Sequence, residues 1–168
     1  MKKGDVDMEK RQVRALALTL IAGALVLGGR AAAQVCPNGC TFDPVVPCRI
    51  VDTRDSAIPN PNGPPALTNG VDRSFQIKGF SRCGIPATAN AISVTLTAVS
   101  PAGAGWVSLW PTGSAWPGVS NLNFSGGESA VANGAVVMLG SGTPDLSCRA
   151  MTSAPMHVII DVVGYYRP

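Results

Sequence analysis

The chain has 168 residues, 13 basic against 10 acidic side chains, 14% charged residues and 46% apolar ones, with 19 glycines, 14 prolines and five cysteines. Six of the basic and three of the acidic residues precede Gln34, which leaves seven of each in the remainder. The surplus of +3 therefore belongs to the leader, and it argues for neither nucleic acid nor an anionic membrane as a partner.

The leader is read first. Lys2, Lys3, Lys10, Arg11 and Arg14 precede an uncharged apolar run, Ala15 to Leu27, and small residues follow at Ala31 and Ala33. A helix needs ~20 residues to cross a bilayer, so this shorter run reads as a secretory signal over residues 1–33, cleaved after Ala33. An uncleaved membrane anchor is the alternative. Cys36 lies three residues beyond the cleavage point with no lipobox before it, so no lipid anchor is expected, and no later apolar run is long enough to span. The mature chain is expected to be secreted, extracellular or on the cell surface, or periplasmic in a diderm host.

Residues 34–46, "QVCPNGCTFDPVV", show no clean periodicity and read as an N-terminal arm. From Pro47 to Pro168 a single domain is expected, of a size that supports its own core. Its strand signals run in order: "CRIVDT", "SFQIKG", "AISVTLTAV", "GWVSLW", "VSNLNF", "GAVVML", "DLSCRAM" and "HVIIDVVGYY". In the third, Ile92, Val94, Leu96 and Ala98 alternate with Ser93, Thr95 and Thr97, the period of a half-buried antiparallel strand. Asn62-Gly63, Asn69-Gly70, Gly126-Gly127 and Asn133-Gly134 are among the turn signals between runs. The expected fold is all-β, a single antiparallel sandwich of about eight short strands, jelly-roll-like. Ser56 to Asn69, rich in proline, is expected to be a long surface loop.

All five cysteines follow the leader, and in an exported chain disulfides are the first expectation. The Cys36-x3-Cys40 spacing admits a zinc knuckle, but the one histidine, His157, is distant, and no metal or cofactor is expected. Five is odd, so one thiol stays free or pairs with another molecule.

The blocks "PCRIVDTR" (47 to 54), "CGIPATANAISVTLTAV" (83 to 99), "PAGAGWVSLWPTG" (101 to 113), "SNLNF" (120 to 124) and "HVIIDVVGYY" (157 to 166) resemble the Asp-Thr-Arg β-module family of bacterial secreted and surface proteins. The resemblance covers nearly all of the chain after the leader. It implies an extracellular all-β module, often in tandem or attached to cell-wall enzymes, with no established chemistry to transfer. Here the module is expected to stand alone and to carry the function itself, and Cys36 and Cys40 are additions to the pattern. Cys48 and Cys83 lie within the family-like blocks and are the expected intrachain bridge. One further pair is then expected among Cys36, Cys40 and Cys148, with one thiol left over, Cys148 with Cys36 or Cys40 being one arrangement; if the arm reaches a neighbour, that pairing links chains.

The charges of "RIVDTRD" admit three readings. "VDT" suggests an aspartic-protease loop, but Arg54 stands where that loop needs glycine, and a cation there keeps Asp52 ionised when a catalytic pair must share a proton. Asp52 and Asp55 alone fall short of the ~6 oxygen ligands calcium takes. The favoured reading is structural: Asp161, flanked by apolar residues, is expected to be buried in a central strand and paired with Arg54, while Asp52 and Thr53 bond backbone amides. His157 reads as a strand-edge residue, since no Gly-x-Ser-x-Gly elbow accompanies it.

Trp106 and Trp110 share a strand face, with core packing expected for Trp106. Trp116, in a Gly- and Pro-rich loop, together with Trp110 is the candidate for stacking on a sugar ring. Lys78, the one lysine after the leader, raises an intermolecular isopeptide to an asparagine such as Asn121 or Asn123 as a minor option. The expected function is a non-enzymatic extracellular structural module that self-assembles into a fibre or matrix through its arm, by disulfide or strand addition. Its partner is itself; a cell-surface polysaccharide is the alternative, and a hydrolase built on Asp52, Asp55 and His157 a distant third.

Overall fold

The computed structural model describes residues 39–168. The leader expected over 1–33, and the start of the arm with Cys36, lie outside them. Eight strands follow in chain order: β1 (Thr41–Asp52), β2 (Arg73–Phe75), β3 (Ala91–Val99), β4 (Gly105–Pro111), β5 (Leu122–Phe124), β6 (Ala130–Met138), β7 (Leu146–Met151) and β8 (His157–Arg167). Among the described residues there is no helix, and none long and apolar enough to cross a membrane.

The strands form two four-stranded antiparallel sheets, β1-β8-β3-β6 and β2-β7-β4-β5. Every connection except that from β4 to β5 passes from one sheet to the other, which is the winding of a jelly roll. Alternation explains the core: Ile92, Val94, Leu96 and Ala98 of β3 face inward with Val158, Ile160 and Val162 of β8. From the second sheet Phe75, Val107, Leu109, Leu146, Cys148 and Ala150 meet them. Each fully buried large aliphatic or aromatic side chain contributes about 1.5–3 kcal/mol.

The structure departs from the sequence reading at two segments. Residues 41–46 are not a separate arm; they are the first half of β1, in register with β8 from Thr41↔Arg167 to Pro44↔Gly164. Pro44 and Pro47 hid this strand. They fit because β1 lies at a sheet edge and the ladder slips between Pro44 and Cys48, so no paired N–H is demanded of them. Phe42 lies across Gly164, where an added Cβ would come within 2.3 Å of its ring. The loop after β1 is no mere surface loop either. Ile58 and Leu67 are buried in the core, Leu67 bridges to Met156, and Asn62 is fully buried. Apolar residues spaced among prolines close one part of the sandwich without any strand alternation to announce it.

Candidate functional site

The charged stretch ends β1. Arg54 turns back on Asp52, its Nε and Nη2 donating to the two carboxylate oxygens at 2.9 and 2.7 Å and its backbone N–H to Oδ1 at 3.1 Å. Arg49 Nη1 adds a contact at 3.4 Å. The Arg54 hydrogen bonds hold the Asp52 carboxyl below its usual range, against the opposing effect of burial. A carboxylate kept ionised by two guanidiniums has no proton to share, which is the wrong state for a catalytic dyad. Asp55 accepts from the Ala57 N–H at 2.8 Å and closes a local turn.

Asp161 is placed differently from its sequence reading. Its partner is Arg49, which forks Nε and Nη2 onto its two oxygens at 2.9 and 3.1 Å, and not Arg54. Arg49 and Asp161 are register partners across β1 and β8, whereas Arg54 lies beyond the strand end. Nor is Asp161 buried: β8 is central, between β1 and β3, but Asp161 points outward and its side chain is 28% exposed. Alternation from Ile160 and Val162 requires that outward position, and the apolar Ile159 and Val163 beside it masked the pattern.

Thr53 and His157 fasten the same corner. The Val158 N–H donates to Thr53 Oγ1 at 3.0 Å, and the Thr53 N–H donates to the Val158 carbonyl at 3.1 Å. His157 Nδ1 lies 3.0 Å from the Thr53 carbonyl, an atom that only accepts, so Nδ1 carries the proton. The imidazole thus serves the backbone, and the structure brings it to Thr53 and to no carboxylate among its hydrogen bonds.

Cys48 and Cys83 form a disulfide that ties β1 to the segment before β3. Cys40 is also disulfide-bonded. Among the described residues the free thiol is Cys148, so of the arrangements left open for Cys36, Cys40 and Cys148 those that use Cys148 are not formed. It points into the core from β7 with no exposure, and burial pushes its thiol up to about 12. The odd cysteine is therefore out of reach of a neighbouring chain.

The tryptophans gather on the outer face of the second sheet. Val107 and Leu109 face the core, so Trp106, Ser108 and Trp110 face outward, and the expectation that Trp106 packs in the core is corrected. The loop after β4 folds back over them. Trp116 stacks on Trp106 at 5.5 Å with the rings 1° from parallel, and its Nε1 donates to Ser108 Oγ at 3.2 Å. Ser108 Oγ donates in turn to the Val119 carbonyl, and Trp110 Nε1 donates to the Ser114 carbonyl at 3.2 Å. The Arg149 guanidinium sits 4.9 Å from the Trp116 ring centre and 5.9 Å from that of Trp110, oriented by Asp72 at 2.5 and 2.9 Å. Trp110 is buried and offers no face to a sugar; Trp116 is 40% exposed, with Trp106 and Arg149 already against its ring.

Sequence reasoning missed the buried polar connectors. Asn62 donates to the Ile50 and Gln76 carbonyls at 3.0 and 2.6 Å and accepts from the Gln76 N–H at 2.8 Å. Asp145, fully buried, accepts from the Ile77 and Lys78 N–H groups at 2.9 Å each, and burial pushes its carboxyl up. Lys78 is buried, and its Nζ donates to the Gly140 carbonyl at 2.5 Å. Arg73 donates to the carbonyls of Pro61, Gly63, Pro64 and Pro65 and holds the proline-rich loop. Asn62-Gly63 carries a turn signal; nothing in the local sequence marks the other three. Among the described residues no group of three or more His, Cys, Asp or Glu side chains is placed to hold a metal ion. Comparison with family models, curated proteins and solved structures returns no match to this chain.

Proposed function

We propose that the chain is a secreted, non-enzymatic structural module of an extracellular or surface layer, and that it works by associating with copies of itself. The observation that carries this reading is the fastening of β1. One disulfide, Cys48–Cys83, and two ion pairs, Arg49–Asp161 and Asp43–Arg167, tie this strand to its surroundings. Side chains that sequence inspection would nominate for chemistry are thus engaged in bracing. The disulfide is consistent with an oxidising compartment, and the leader supports export. A disulfide between chains through Cys148 has no support, because that thiol is buried, and residues 41–46 belong to the chain's own sheet. Non-covalent association takes its place. Light scattering of the natively secreted protein is expected to give a mass above the monomer at micromolar concentration, with a single monomer band on a non-reducing denaturing gel. A monomer at every concentration overturns the reading.

One observation favours a second reading, polysaccharide binding: Trp116 is exposed beside the Asp72–Arg149 pair. Under it, Trp116→Ala abolishes retention on cell-wall polysaccharide and leaves the oligomer mass unchanged.

A further inference from the structure

Four strands form the edges of the two sheets: β1 and β6 in one, β2 and β5 in the other. β2 and β5 have three residues each, too short to template a neighbour. β1 carries Pro44 and Pro47, two slips in its ladder and the charged side chains of Asp43 and Arg49, all devices that discourage strand addition. β6 has none of these. Its nine residues, "AVANGAVVM", contain no proline and no charge, and they run in unbroken register against β3 from Ala130↔Val99 to Met138↔Ala91.

The outward side chains of β6 are Ala130, Ala132, Val136 and Met138, with Gly134 between them, and all five residues are exposed. Val136 reaches 61%. Gly134 has no positive φ, and a Cβ built on it would meet nothing within 4 Å. Neither backbone conformation nor packing inside the chain requires a glycine there, where it is destabilising relative to alanine. Glycine within a strand suits a place where another backbone comes close.

We propose, on the self-association reading above, that the occupant of this edge is a second copy of the chain. Two β6 strands pair antiparallel across a two-fold axis at Gly134 and join two four-stranded sheets into one continuous sheet. In that register Ala132 opposes the partner's Val136 and Ala130 opposes the partner's Met138, so each larger side chain meets a small one. An uncharged strand also meets its own copy without like-charge repulsion. The contact is isologous and closes on itself, and the far edge of each sheet is the guarded β1. The product is a dimer and not a fibre.

The test is a charge swap on the natively secreted protein, read by light scattering and sedimentation. Ala132→Lys and Val136→Glu both lie at exposed positions, and unchanged near-ultraviolet circular dichroism verifies that each variant folds. Each alone is expected to weaken dimerisation at least about tenfold, since the substituted residue appears twice in the interface. The double variant sets opposite charges against each other on both sides of the axis and restores the dimer. If the native protein associates and both single variants associate equally well, β6 pairing is overturned while self-association stands. Single variants that dissociate without rescue in the double variant overturn the two-fold register. A native protein that is monomeric throughout overturns the underlying reading itself.

Discussion

The two edges of one sheet are built on opposite principles. β1 has prolines, ladder slips, a disulfide and alternating ion pairs; β6 has an apolar, uncharged, regular ladder with a bare glycine at its centre. Among the described residues no strand pairs with the outer side of either, and the two flank the same pair of central strands. An edge is thus not a liability as such. Its side chains decide whether it repels or accepts another strand, and the charges that look like an active site belong to the edge that is closed.

The largest effect that would break this contrast is removal of the bridge. Cys83→Ser is expected to lower stability by about 2–5 kcal/mol, with β1 the first strand to lose amide protection in hydrogen exchange. Protection lost equally in all eight strands would mean that the bridge does not hold β1 in particular. A smaller effect is expected at the corner: Asp52→Asn weakens the charge-assisted bonds to Arg54 and costs about 1.5–3 kcal/mol at neutral pH. The sign of its pH dependence follows from the lowered carboxyl. The stabilisation is fully present above the ordinary unfolded value near ~4, and it is lost as pH falls from there through the folded value. Chemical denaturation between neutral and acidic pH should therefore show the difference between wild type and Asp52→Asn shrinking as acid is added. Asp145, raised by burial, contributes with the opposite sign, so the comparison must be made with the single substitution. The smallest effect belongs to the open edge. Val136→Thr is expected to change monomer stability by no more than about 0.5 kcal/mol, because the residue is largely exposed. A loss of several kcal/mol would show that β6 is already covered and would erase the contrast.

Much of the architecture was legible because alternation is a strong signal. β3 displays it from Ile92 to Ala98, and eight strand-like runs correspond in order to eight strands. Where the pattern blurred, the reading failed for identifiable reasons. β8 has apolar residues on both faces, so Asp161 looked buried when its parity with Ile160 already placed it outside. Pro44 and Pro47 looked like strand breakers, although an edge strand tolerates them. The partner of Arg49 depends on register between segments 112 residues apart, which local sequence does not encode. Asn62 and Asp145 act through backbone groups of distant segments, and a polar residue destined for such work looks like any loop residue. Trp116 stands out in its Gly- and Pro-rich loop, but that its ring lies on Trp106 depends on how the loop after β4 folds.

The interior position of Cys148 has a practical consequence. A thiol raised to about 12 and sealed in the core is almost entirely protonated at neutral pH and inaccessible to alkylating reagents. It becomes reactive only during the moments when β7 is exposed, so the rate of its labelling by an excess of reagent counts those excursions. The molecule contains its own stopwatch for opening, readable by mass spectrometry without engineering a reporter residue into the chain.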